Sequence, residues 1–433
     1  MSGGVGRYTW AVVARLVRLR DAAASRWARL GGLAGDGVLY LASAVFATLL
    51  GVFSTQGAQW QWGYLAIGPY ALVGIVALLL SRRVRRRVHL ARVVLLVAVG
   101  IGVVAVPLGL EAHWHHAQPE VGVITRAGQA LSKDHTPYRA YDHNGKVVGE
   151  IKGLPAFESF FPYFPLMGVF GLPSATTHEA DGLTDARIIM TLMTLVTSAA
   201  ALALLRARAD QKLRVAQVLI ALPTGALFLS TGGDDMPILA LSLLAVAALQ
   251  RRQANLTGLP LGLAAAMKLT AWPLAAGALL VARDRGGRAS WPRVLAWVGV
   301  IVLATTLPFA LRDPVAFMSN VFAFPLGLAG VTSPAASALP GHVLTTWEPV
   351  LGHVLAPVTF VVGGAFFARY LRRHHPLTLS QLLAVLAVAF AVVICVASAT
   401  RIGYVIYPLN LALWSTITRR ASIEEPELVA VAV

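Results

Sequence analysis

Five charged residues in this chain of 433 sit where apolar sequence surrounds them, and their chemistry sets the first question. In QPEVGVITRAGQALSKDHTPY (118–138), Pro119 suits the first turn of a helix, and Val121, Ile124, Ala127 and Leu131 recur at helical spacing. Glu120 then stands at the helix start, where the dipole favours an ionised carboxylate. At the mouth of a membrane cavity such a group can serve as a general base. The same placement is also that of an ordinary helix-start acid, and both readings stand. Asp134, ahead of the Thr136-Pro137-Tyr138 turn, is a second candidate base.

TGGDDMP (231–237) carries Asp234 and Asp235 within a few residues of two greasy runs. A metal, substrate hydroxyls or plain turn chemistry would each account for them. Lys268 lies in GLPLGLAAAMKLTAWPLAAGALL (258–280), a stretch too short for two full crossings of about 20 residues each. A hairpin that dips in and turns at Lys268-Leu269-Thr270 would present an ammonium to a cavity, where a lipid phosphate would be a good partner. A lysine reaching to the outer surface is the alternative. Arg401 opens RIGYVIYP (401–408), and with Lys268 it could clamp a phosphate. His113, His115 and His116 flank Trp114 in a pattern that reads more readily as a wet interfacial turn than as a metal site.

The elements that must hold these groups follow from composition. Hydrophobic residues make up 57%, charged residues 13%, and mean hydropathy is +0.68, so the chain reads as an all-α polytopic membrane protein. Greasy runs near 36–55, 63–81, 90–110, 183–205, 215–231, 236–250, 257–268, 270–282, 294–311, 349–368, 378–398 and 402–418 give about twelve membrane segments, the short hairpin included. Residues 1–35 read as a basic amphipathic segment on the cytoplasmic interface, 36–418 as the membrane domain and 419–433 as a cytoplasmic tail.

The net charge of +16 invites a nucleic-acid reading, but its distribution excludes one. Most of the 36 Lys and Arg fall in clusters at 7–29, 82–92, 206–214, 251–252, 283–293, 369–373 and 419–420, which alternate with the greasy runs so as to share one side. That is the bias that orients helices, with both termini cytoplasmic. The other side holds most of the acids, a large external loop at 111–182 and a second at 312–348. AYDHNGKVVGEIKG (140–153) reads as a hairpin turning at Asn-Gly, and FFPYFPLMGVFGLP (160–173) as irregular backbone lining a pocket. The single cysteine, Cys395, leaves no disulfide frame.

The order of these motifs resembles glycosyltransferase family 87: an acid in the first large external loop, a PYxP stretch, an outer GGDD turn, GLxLGLAAAxK before Trp and Pro, and a late RxGYxxYP. The resemblance implies a GT-C-like fold in the plasma membrane with an extracytoplasmic active site. It implies inverting transfer of a sugar, mannose first among candidates, from a polyprenyl-phosphate donor to a glycolipid or lipoglycan acceptor. Glu120 falls at the position of the family's base. Lys268 and Arg401, with help from His113 or His116, would hold the donor phosphate. Tyr138, Phe161, Tyr163 and Tyr404, with Asp234 and Asp235, would wall the sugar pocket. No metal or cofactor is required on this reading, and the other partners are membrane lipids. A lipid-carrier or solute transporter, or a non-catalytic assembly protein of the same architecture, are the competing readings.

Overall fold

The computed structural model describes residues 32–84, 86–139, 151, 153–176, 184–285, 290–326, 328–331, 334–397 and 399–431. The basic amphipathic segment, nearly all of 1–35, and the Asn-Gly hairpin turn lie outside the described residues. Within them the regular structure is helical, and extended pairing is limited to an isolated bridge between Ala336 and Thr400.

In chain order, α1 (Gly32–Phe53), α2 (Gly57–Arg83) and α3 (Val88–His113) precede the short α4 (Pro119–Asp134) and then α5 (Ala186–Leu204). α6 is bent by 41° between Ala209–Ala221 and Pro223–Thr231. α7 (Asp235–Gln250), α8 (Ala254–Ala265) and α9 (Trp272–Arg285) are shorter, and α10 (Ser290–Arg312) is long again. α11 (Pro314–Met318), α12 (Pro340–Trp347), α13 (Pro349–Arg373), α14 (Leu379–Val396) and α15 (Ile406–Val431) follow.

Six of the described helices (α1, α2, α3, α5, α10 and α14) are long and apolar enough to cross a bilayer, or seven if bent α6 counts as one span. The protein is therefore a multi-pass membrane protein. The expectation of about twelve segments is not met by this measure. Helices do form at the runs 236–250, 257–268 and 270–282, but α7, α8 and α9 have 16, 12 and 14 residues. Each is below the roughly 20 that a crossing takes. Nearly every residue of α7 is buried, which explains its uniform apolarity: it is a core helix shielded by protein. At the end of the chain, the expected tail at 419–433 begins inside a helix, since α15 runs on to Val431.

Two local irregularities lock the bundle. The wide turn at Ile101–Ala105 inside α3 frees carbonyls from the regular ladder. The Val103 carbonyl accepts from Trp62 Nε1 at 2.8 Å and from Ser230 Oγ at 3.1 Å, tying α2 and α6 to α3. At the bend of α6, the Ala221 carbonyl accepts from the buried Tyr70 hydroxyl at 2.7 Å. Near the start of α3, Asp36 accepts from Arg92 Nε at 2.6 Å and Nη2 at 3.2 Å, and pairs with Arg214 at 3.2 Å. Arg92 is about 31 Å along α3 from His113, so this ionic cluster marks the face opposite the candidate site.

The stretch Phe160–Pro173 forms no α-helix, as its prolines require. Pro165–Ala175 winds as a 3₁₀ segment laid on α4. Gly128 and Gly171 make that approach possible: a Cβ on Gly128 would lie 2.0 Å from the Gly171 carbonyl carbon. Phe164 N donates to the Met267 carbonyl at 3.1 Å, and Asn320 Oδ1 accepts from Phe161 N at 2.7 Å. The aromatic stretch is thus pinned to the break between α8 and α9 and to the helical turn Ser319–Ala323 that continues α11.

Candidate active site

Four chain segments bring charged side chains to one open cavity. α4 contributes Glu120 from its first turn, with Pro119 at the first helical position as its sequence expects. The turn between α6 and α7 contributes Asp234 and Asp235. Gly232, at φ +95°, ends α6 in a conformation that favours glycine, and Asp235 opens α7 two residues after Gly233. The break between α8 and α9 contributes Lys268, whose backbone is extended at φ −151° and ψ 142°. The approach to α15 contributes Arg401 and Tyr404.

The charges pair. Glu120 Oε1 accepts from Arg401 Nη1 in a very short contact. Lys268 Nζ lies 2.7 Å from Asp234 Oδ2 and 2.5 Å from Asp235 Oδ1. The Tyr407 hydroxyl donates to Asp235 Oδ1 at 2.5 Å and stands 2.7 Å from Thr270 Oγ1. The rings of Tyr163 and Tyr404 flank the ammonium, with centroids at 5.4 Å and 5.7 Å from Nζ. Phe160 stacks on Phe324 at 4.6 Å, adding an apolar wall.

Lys268 and Arg401, the pair expected to clamp a phosphate, each face a carboxylate. An ammonium in so dry a place is costly unless paired, and two acids 34 and 33 positions upstream supply the pair. The three carboxylates and two cations together carry a formal charge of −1. At Glu120 the dipole of the helix start favours an ionised group, whereas burial pushes the carboxyl above the usual range, with Arg401 opposing that shift and Asp234 adding to it. Its second oxygen, Oε2, is buried with no hydrogen-bond partner among the described residues.

The remaining expected site residues are spread more widely. Tyr163, Tyr404, Asp234 and Asp235 line the cavity. Tyr138 and Phe161 are buried behind it: the Tyr138 hydroxyl donates to the Tyr163 carbonyl at 2.9 Å, and the Phe161 ring meets Tyr163 edge-on at 5.2 Å. They shape Tyr163 rather than the cavity surface. Asp134 is exposed at the far end of α4, about 21 Å along the axis from Glu120. His113 and His116 are exposed and outside the cavity, and His116 Nδ1 instead meets Gln61 Oε1 at 2.7 Å. Among the described residues no group of three or more His, Cys, Asp or Glu is placed to share a metal ion.

Sequence reasoning missed Tyr407, Thr270, Phe160 and Asn320. Tyr407 and Thr270 lay inside motifs already singled out, so their proximity to charge was the available signal.

A family model, Glycosyltransferase family 87, matches residues 161–398, more than half of the chain. The chain belongs to glycosyltransferase family 87. As a family 87 member with several spans, it is a membrane glycosyltransferase, acting on a sugar donor and an acceptor. The matched stretch includes Tyr163, Asp234, Asp235 and Lys268; Glu120 precedes it and Arg401 follows it. No curated protein and no solved structure matches the chain.

Proposed function

We propose that this family 87 enzyme performs inverting transfer of a sugar, mannose as the first candidate, from a polyprenyl-phosphate donor to a glycolipid or lipoglycan hydroxyl. One observation carries the reading: Glu120 has one oxygen engaged by Arg401 and the other buried beside the cavity without a donor. An unsatisfied buried acceptor costs about 1–3 kcal/mol. An incoming hydroxyl that donates to Oε2 recovers that cost and is itself activated.

The donor phosphate attracts the guanidinium of Arg401, whose other N–H groups are uncommitted among the described residues. As Arg401 turns toward it, the Glu120 carboxylate rotates and exposes Oε2. Glu120 takes the hydroxyl proton while the acceptor oxygen bonds to the anomeric carbon from the face opposite the phosphate. The bond from that carbon to the phosphate oxygen breaks, and prenyl phosphate leaves as an anion that needs no proton. Lys268 acts as a fixed positive charge that holds Asp234 and Asp235 in place for sugar hydroxyls. Tyr163 and Tyr404 offer flat walls to the sugar ring.

This reading goes with a GT-C architecture in the plasma membrane: residues 36–418 as one membrane domain, the cavity on the extracytoplasmic side, and the basic clusters and termini on the cytoplasmic side. The positive-inside bias supports that orientation. Glu120→Gln tests the reading, because glutamine preserves shape but cannot take the proton. In membranes supplied with labelled polyprenyl-phosphate mannose, the variant should accumulate normally and lose transfer. Full transfer by Glu120→Gln removes Glu120 as the base.

A further inference from the structure

We propose that Arg187, held by Asp185, is a positioning residue that sets the spacing between Glu120 and Asp234 in the cavity. The inference rests on the reading of Glu120 as base. Arg187 lies in the first turn of α5, is 2% exposed and does not line the cavity. Asp185 caps the same helix: its Oδ1 accepts from Arg187 N at 2.8 Å, and its Oδ2 pairs with Nη2 at 2.6 Å. With the guanidinium anchored in this way, its outer edge reaches another segment. Nη1 donates to the His116 carbonyl in a very short bond, and Nη2 reaches the Glu111 carbonyl at 3.4 Å. These carbonyls fix the chain that leads into α4.

The same side chain touches the other half of the site. A Cβ on Gly232 would lie 2.5 Å from Arg187 Cγ and 2.1 Å from Val121 Cγ2. Val121 follows Glu120, and Gly232 stands two residues before Asp234. The aliphatic stem of Arg187 is therefore packed against the turn that carries the aspartates, and the glycine leaves no slack. Between them, Gln118 N donates to the Thr231 carbonyl at 3.0 Å and Gln118 Nε2 donates to Thr231 Oγ1 at 2.6 Å. Arg187 thus joins the Glu120 helix and the Asp234 turn without touching substrate. Misplacement of reacting groups by about 1 Å is enough to lower a rate ~100-fold.

The test uses the full-length protein purified in detergent, with labelled polyprenyl-phosphate mannose as donor and a membrane extract that retains its glycolipids and lipoglycans as acceptor. Arg187→Gln should lower kcat per folded molecule ~10-fold to 100-fold, with the donor KM within about twofold of wild type. Arg187→Lys, which keeps the stem and the charge, should recover part of kcat. Wild-type kcat in Arg187→Gln overturns the proposal, as does a loss explained wholly by less folded protein. Should Arg187→Gln fail to fold, Asp185→Asn loosens the same guanidinium while leaving Arg187 in place; it should lower kcat several-fold at unchanged KM, and unchanged kcat overturns the idea. Glu120→Gln, run alongside, separates the two readings. Activity in Glu120→Gln sinks the base assignment, while an inactive Glu120→Gln beside a fully active Arg187→Gln sinks the positioning role alone.

Discussion

Arg401 Nη1 donates to Glu120 Oε1 across 281 positions of sequence, joining the start of α4 to the approach to α15. The pair closes one side of the cavity and leaves Glu120 Oε2 unsatisfied. Much of the expected behaviour of this enzyme follows from that contact.

Removing the base should be costly. General-base contributions run to about 10²–10⁴ in rate, so Glu120→Gln should lose transfer on that scale. Glu120→Asp, which keeps the carboxylate but shortens its reach, should fall between it and wild type. Single-turnover rates with labelled donor provide the measurement, and equal rates for the Gln variant and wild type would contradict the assignment.

The pH profile carries a sign. Burial raises the Glu120 carboxyl above its usual 4.5, while Arg401 pulls in the other direction without prevailing. The base works only when ionised, so transfer should decline as pH falls through this raised value. The acid limb of kcat/KM, which reports the free enzyme, should therefore lie above pH 4.5. A limb at or below 4.5 would mean that another group controls the rate.

Arg401→Lys should separate charge from shape. Lysine keeps one positive charge but loses the planar fork that lets one side chain face both a carboxylate and a phosphate. The donor KM should rise by about tenfold or more, together with a fall in kcat, as measured by initial rates over a donor series. A variant with unchanged KM would remove Arg401 from phosphate binding.

Lys268 should matter to stability as well as to activity. Its side chain is 12% exposed, between acids that are 8% and 10% exposed. Breaking a buried pair by deleting one partner costs about 3–5 kcal/mol. Lys268→Met should lower the thermal midpoint of the detergent-solubilised protein. Adding Asp234→Asn and Asp235→Asn should restore part of it, because the charges then vanish together. A midpoint in Lys268→Met equal to wild type would contradict the pairing.

Gly128 faces backbone, not a yielding side chain, at 2.0 Å. Gly128→Ala should therefore unseat the Pro165–Ala175 segment at a cost of about 1–3 kcal/mol or more, read as a lower midpoint with transfer lost in parallel. Gly109, which has nothing within 4 Å of an added Cβ, is the matched control.

What could be read before folding was local. Pro119 with its helical apolar spacing announced α4 and put Glu120 in its first turn, because a proline without an N–H fits best there. The length of 258–280 announced a break at Lys268, and the prolines of 160–173 announced irregular backbone. Length is a weaker guide to crossings: apolarity looks the same in lipid and in a protein core, so the buried α7 has the sequence of a crossing.

Sequence alone determined the class of molecule, the helix runs, the family-like order of motifs and the residue types available for chemistry. Only tertiary structure decided which charge faces which: Arg401 with Glu120, Lys268 between Asp234 and Asp235, and Asp134 and the histidines elsewhere. The reason is that these partners belong to different helices. Their meeting depends on how glycines, bends and carbonyl contacts set the packing, and local spacing does not encode those distances.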